Sequence, residues 1–150
     1  MIVDEAIADI EKSCELDPQN TNTVIKKATL YMEKAQVEQS IGIFEQAVRQ
    51  DPDHPDLYYH RGQIRFIVSD YAGSVQDYKK SISLDPSSVY AHIQLGVAQY
   101  KLGEHEKSKR TFEQAIKKFP TSHEVYNYYG EILLDQGKFD QGIFFGKVMW

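Results

Sequence analysis

Residues 58–66, YYHRGQIRF, gather two tyrosines, a histidine, two arginines and a glycine in nine positions. Such groups can serve catalysis, a binding surface or the packing of a repeat, and spacing elsewhere in the chain decides among these. Histidines stand at 54, 60, 92, 105 and 123, and the single cysteine is Cys14. No HExxH, no cysteine pair and no His–carboxylate cluster at metal-ligand spacing occurs. A Gly-rich phosphate loop, a nucleophile elbow and kinase-like motifs are also missing. The carboxylates are expected on solvent-facing helix positions. The reading is therefore of a protein that is not an enzyme and takes no metal or cofactor.

Composition narrows the partners. The chain has 150 residues, 41% of them hydrophobic and 26% charged, as in an ordinary globular protein. A net charge of -5 without a basic stripe argues against nucleic acid. No apolar run approaches the ~20 residues that cross a bilayer. The start, MIVDEAIADIEKS, lacks the basic and apolar regions of a secretory signal. One cysteine cannot form an internal disulfide and fits a reducing compartment.

The prolines reveal the organisation. Pro18, Pro52, Pro86 and Pro120 are each 34 residues apart. Gly62, Gly96 and Gly130 keep that spacing, as do Phe44, Tyr78 and Phe112, and Ala47, Ser81 and Ala115. Chance does not phase four residue classes together. A 34-residue period of paired helices is the tetratricopeptide signature, so the chain resembles that family. The expected fold is all-α, an α-solenoid whose family form is a right-handed superhelix. Residues 1–150 divide as one array: a partial repeat at 1–20 (a helix B), full repeats at 21–54, 55–88 and 89–122, and a truncated one at 123–150.

Local signals place the helices within each repeat. Pro55 suits a first helical turn, where its missing N–H costs nothing. Thr121 followed by Glu124 resembles a capping box. Gly103 and Gly137 fall where a left-handed residue would close helix A. Gly62, Gly96 and Gly130 lie inside helix A despite a cost of about 1 kcal/mol relative to alanine, and are expected to let helix B approach. Ala28 occupies that slot in the first full repeat.

In the family, the second, fifth, ninth and twelfth positions of helix A line a concave surface. Here these are Asn22, Ile25, Thr29 and Met32; Asp56, Tyr59, Gln63 and Phe66; Tyr90, Ile93, Val97 and Tyr100; and Glu124, Asn127, Glu131 and Leu134. Steps of three, four and three keep each set on one helix stripe. The candidate groove residues are Tyr59, Gln63, Phe66, Tyr90, Ile93, Val97, Tyr100, Asn127, Glu131 and Leu134. Its middle is aromatic and aliphatic and its end acidic and amide-bearing, which suits an apolar or extended segment of a partner.

Some tetratricopeptide receptors hold chaperone tails in a carboxylate clamp of Lys, Asn and Arg. The corresponding positions here carry Ile25, Thr29, Tyr59, Gln63, Lys26, His60 and Gln94, so that clamp is not in this segment. The succession YYHRGQ, then YAHIQLGVAQYKLGEHEKSKRTFEQAIKKFPTSHEV, then GEILLDQGKFDQG resembles the middle-to-late repeats of the mitochondrial outer-membrane import receptor, in its fungal form, over roughly residues 4 to 142. That resemblance implies a receptor for hydrophobic preproteins on the cytosolic face of the outer membrane, with other import-complex subunits as further partners. It also implies that the membrane anchor and the clamp domain belong to a longer parent, leaving this segment soluble and without membrane contact of its own. The alternative is a structural scaffold in a stable complex, or a chaperone-associated adaptor.

After FDQG the tail reads IFFGKVMW, with Gly146 at an aromatic position. The apolar residues of 143–150 are a candidate for self-association. Register also sorts the opening stretch. Tyr58 is a packing position, Gly62 makes room for helix B, and only Tyr59, Gln63 and Phe66 follow the stripe. Arg61 and Arg65 are expected to lay their stems along the seam between helices and reach for carboxylates.

Overall fold

The computed structural model describes residues 2–142. They fall into two compact units, Met1–Leu84 and Asp85–Trp150. Among the described residues the secondary structure is helical throughout, as the period requires. The first unit contains α1 (Ile2–Leu16), α2 (Thr21–Glu33), α3 (Val37–Gln50), α4 (Pro55–Ile67) and α5 (Tyr71–Leu84). The second contains α6 (Val89–Lys101), α7 (His105–Lys118) and α8 (His123–Asp135), with a further helical turn at 139–142.

Helix starts follow the cap chemistry of the sequence. Asn20 Oδ1 accepts from the Thr23 amide at 3.2 Å, and Ser88 Oγ from the Ala91 amide at 3.3 Å. Each bond satisfies one of the free N–H groups of a first turn. Pro55 opens α4 as expected, behind His54, whose side chain makes no cap bond. The expected capping box at Thr121 is not formed. Ser122 is the N-cap of α8, and its hydroxyl donates to the Glu124 carboxylate at 3.1 Å instead.

Helix A ends in the same way four times. Ala35, Ser69, Gly103 and Gly137 have φ of 59°, 65°, 89° and 75°. The next amide reaches back five residues in each case: Gln36 to Tyr31, Asp70 to Arg65, Glu104 to Gln99 and Lys138 to Leu133. This is the Schellman closure, and it turns the chain sharply into helix B. Only Gly103 and Gly137 carry the glycine signal; Ala35 and Ser69 adopt the left-handed conformation against their intrinsic preference.

The core is built on one contact repeated three times. Phe44, Tyr78 and Phe112 have no exposed surface. Each such ring contributes about 2–3 kcal/mol by leaving water. A Cβ on Gly62 would sit 2.9 Å from the Tyr78 ring, and one on Gly96 would sit 2.5 Å from the Phe112 ring. The two glycines therefore let an aromatic ring of helix B lie against helix A. Ala28 packs in the same cluster as Phe44. A second contact was not read from the sequence. Ser40 Oγ donates to the Ala28 carbonyl and Ser108 Oγ to the Gly96 carbonyl, both at 2.7 Å. Ser74, 34 residues from each, turns instead to the Tyr71 carbonyl.

Candidate binding surface

In the first unit, α4 presents Tyr59, Gln63 and Phe66 half-buried on one stripe. The Gln63 amide is held at both ends. His60 Nδ1 lies 3.0 Å from its oxygen, and its nitrogen donates to the Tyr59 hydroxyl at 3.3 Å. Burial holds the His60 imidazole below its ordinary pKa, and the Gln63 hydrogen bond opposes that effect. The Tyr59 ring meets the His60 ring edge-on at 5.2 Å and the Tyr78 ring at 5.9 Å. Phe66 meets Tyr71 edge-on at 5.2 Å. These contacts fix the aromatic rings of the stripe before any ligand arrives.

The earlier helix of this unit offers more surface than the sequence suggested. Ile25 and Thr29 of α2, with Ala6 and Ile10 of α1, line a mainly apolar cleft of about 530 Å³. Its signal was present in the stripe positions of α2, but their neighbours on α1 could not be known from the period.

In the second unit, a tyrosine–carboxylate hydrogen bond joins α6 and α8 at one end of the stripe, and a second tyrosine lies near a carboxylate at the other. The Tyr100 hydroxyl donates to Asp135, and Tyr90 lies near enough to Glu124 to help lower its carboxyl. Glu124 is held below the usual carboxylate range by its own amide first, then by Ser122 and, less, by Tyr90. Its hydrogen bond with Asp135 pushes the Tyr100 phenol up. Val97 is half-buried, while Tyr90, Asn127, Glu131 and Leu134 are exposed. Ile93 is a correction to the sequence reading. It has no exposed surface and packs with Phe112, Ala115 and Val125, because α8 closes over it. It belongs to the core and offers nothing to a ligand.

The arginines of YYHRGQIRF turn away from any site and into the α4–α5 seam. Arg61 forms a two-pronged contact with Asp77, at 2.9 and 2.6 Å, and Arg65 adds a third bond at 3.0 Å. The expected reach for a carboxylate is therefore met. The partner corrects another expectation, since Asp77 is buried and not solvent-facing. Ile43 and Thr111 occupy the same position in the neighbouring repeats, so only the two arginines hinted that a charge belonged there. Their bonds to Asp77 raise the Arg61 guanidinium further above neutrality.

Among the described residues no group of three or more His, Cys, Asp or Glu could hold a metal ion. No described helix is long and apolar enough to cross a membrane. The tail at 143–150, and with it the self-association reading, lies outside the described residues.

Sequence models for the TPR or tetratricopeptide repeat match residues 23–54, 62–103, 90–122 and 111–144. The chain belongs to the tetratricopeptide repeat family. Within it, this tetratricopeptide chain is 33% identical over 135 residues to the mitochondrial import receptor subunit TOM70 of Saccharomyces cerevisiae, a match covering 90% of this chain and 22% of the receptor. It is 32% identical over 142 residues to the human subunit of that name, covering 87% of this chain and 23% of the receptor. The chain thus spans about a fifth of the length of these relatives. The crystal structure of yeast Tom70 superposes with a TM-score of 0.85 at 31% identity, over 96% of this chain and 29% of that one. The fold is the tetratricopeptide α-solenoid.

Proposed function

We propose that this tetratricopeptide chain is a non-catalytic binding module for hydrophobic or extended client segments, and that it serves as part of a receptor for mitochondrial preproteins. The reading takes residues 1–150 as one array with repeat divisions after residues 20, 54, 88 and 122. The observation that carries it is the exposure pattern of the helix A stripes. Tyr59, Gln63 and Phe66 on α4, and Tyr90, Val97 and Tyr100 on α6, keep accessible surface, whereas Leu57, Tyr58 and Ile64 on α4 and Ala91, Leu95 and Ala98 on α6 are buried. Aromatic groups already fixed by local contacts lose little freedom on binding, which favours them as contact points. Asn127 and Glu131 on α8 supply polar partners for a client backbone or a basic side chain, and Leu134 adds apolar contact. The likeness to import receptors supports preproteins as the clients and the cytosolic face of the mitochondrial outer membrane as the place of the parent protein. Other import-complex subunits are further partners in this reading.

A client that must later be released binds with micromolar affinity, about -8 kcal/mol. The test is fluorescence anisotropy with a labelled hydrophobic preprotein peptide on Tyr59→Ala, Tyr100→Ala and the double variant. Each single change should weaken binding several-fold, and the double change more. Unchanged affinity in all three places the client elsewhere.

A further inference from the structure

One helix face is not used by the stripes described above. In α7, Lys107, Arg110, Gln114, Lys117 and Lys118 follow the spacing i, i+3, i+7, i+10, i+11, and all are exposed. At ~100° per residue they share an arc of about 100°, and along the axis they span about 16 Å. Four of the five are cations, and no carboxylate falls within the arc. The buried face of α7, made of Ser108, Thr111, Phe112 and Ala115, is centred about 120° around the helix from the arc.

Packing does not require these charges. The same five positions read Gln39, Gly42, Gln46, Arg49 and Gln50 in α3, and Gly73, Gln76, Lys80, Ser83 and Leu84 in α5. Each sister helix therefore packs against its own helix A with a single cation at these positions. Within the second unit these cations have carboxylates nearby, Lys118 helping the Ser87 hydrogen bonds to lower the Asp85 carboxyl and Lys117 lining a cleft with Glu113 and Asp140. Arg110 and Lys117 nevertheless form no close ion pair among the described residues. Lys107 pairs with its neighbour Glu104 at 2.8 Å, and Lys118 rests over the Phe119 ring. Glu106 and Glu113 flank the arc four residues before Arg110 and Lys117, yet no ion pair within 4 Å joins them among the described residues.

We propose that this arc of α7 docks an acidic segment of a partner protein. Charge complementarity is the argument for that occupant, since four cations in about 16 Å match carboxylates repeated at helical spacing on a short partner. A duplex or an anionic bilayer is a poorer match. Either would extend beyond the arc to meet Glu106 and Glu113, and the chain's net charge of -5 opposes its approach to a large anion. The arc also carries no apolar side chain to enter a bilayer.

The probe is a labelled alanine-based helical peptide with glutamates at i, i+3, i+7 and i+10, alongside the same peptide with glutamines. At 50 mM salt the chain should bind the glutamate peptide at least tenfold more tightly than the glutamine one, and raising salt to 300 mM should remove most of the difference. Arg110→Gln/Lys117→Gln should lose about tenfold in affinity. Lys12→Gln/Arg49→Gln, which removes the same net charge from exposed positions on α1 and α3, should lose almost none, and Tyr59→Ala should also bind normally. Equal loss in the two double variants would overturn the proposal, as would indifference of the wild type to salt and peptide charge. Wild-type binding to vesicles containing 30% phosphatidylserine, without binding to the peptide, would do the same. Because the wild-type comparison needs no variant, a folding defect in α7 would not blur the outcome.

Discussion

The α4–α5 and α6–α7 hairpins are drawn to one plan and held by different chemistry. Both set an aromatic ring of helix B against a glycine of helix A, and both close helix A with a left-handed residue. Across the seam, α4–α5 uses Arg61 and Arg65 on buried Asp77, whereas α6–α7 uses the Thr111 hydroxyl on buried Gln99 at 2.6 Å, beside the apolar Leu95. The ring contact fixes how the helices meet, and the polar seam is free to vary around it. What the variation changes is sensitivity: a charged seam has more to lose when broken.

The largest contrast should come from the seams themselves. Asp77→Ala leaves two half-buried guanidinium groups without their carboxylate and should cost roughly 3 kcal/mol. Thr111→Val removes one neutral hydrogen bond from Gln99 and should cost about 1 kcal/mol. Urea denaturation of both variants checks the ordering; equal losses would mean that the charged seam is not the stronger constraint.

The shared contact comes next. Gly96→Ala places a methyl 2.5 Å from the Phe112 ring, while Gly62→Ala places one 2.9 Å from Tyr78. After the ~1 kcal/mol that alanine returns to a helix, the first should destabilise by about 2 kcal/mol and the second by about 1 kcal/mol or less. Thermal unfolding followed by circular dichroism would show whether the tighter approach is the more sensitive one.

The helix closures should give the smallest change, and in the opposite direction. Ser69→Gly relieves a left-handed serine and should stabilise by about 0.5–1 kcal/mol, making the α4–α5 turn resemble the Gly103 turn of α6–α7. A loss of stability in the same denaturation assay would show that Ser69 contributes something the turn geometry does not explain.

Much of the fold was legible because it rests on a period. The 34-residue spacing of proline, glycine and aromatic residues was enough to give the helix pairs, and Gly103 and Gly137 announced their turns. The equivalent turns at Ala35 and Ser69 were silent, since neither residue type advertises a positive φ. Ser40 and Ser108 share the spacing too, but a serine does not say which carbonyl it will reach. The candidate surface was legible only by position. Register names a stripe, but it cannot tell whether the next helix will cover part of it, and Ile93 was lost to the core in that way. Asp77 was hidden for a related reason: an aspartate on a helix is ordinarily exposed, and only its two arginine partners make it a buried residue.

The central claim is that clients meet the helix A stripes and not the outer faces of the B helices. Photo-crosslinking measures this directly, with benzoylphenylalanine placed in turn at Tyr59, Tyr90, Gln76 and Gln114 and a hydrophobic preprotein peptide as client. The account predicts crosslinks from positions 59 and 90 and none from 76 or 114. Crosslinks confined to positions 76 and 114 would contradict it.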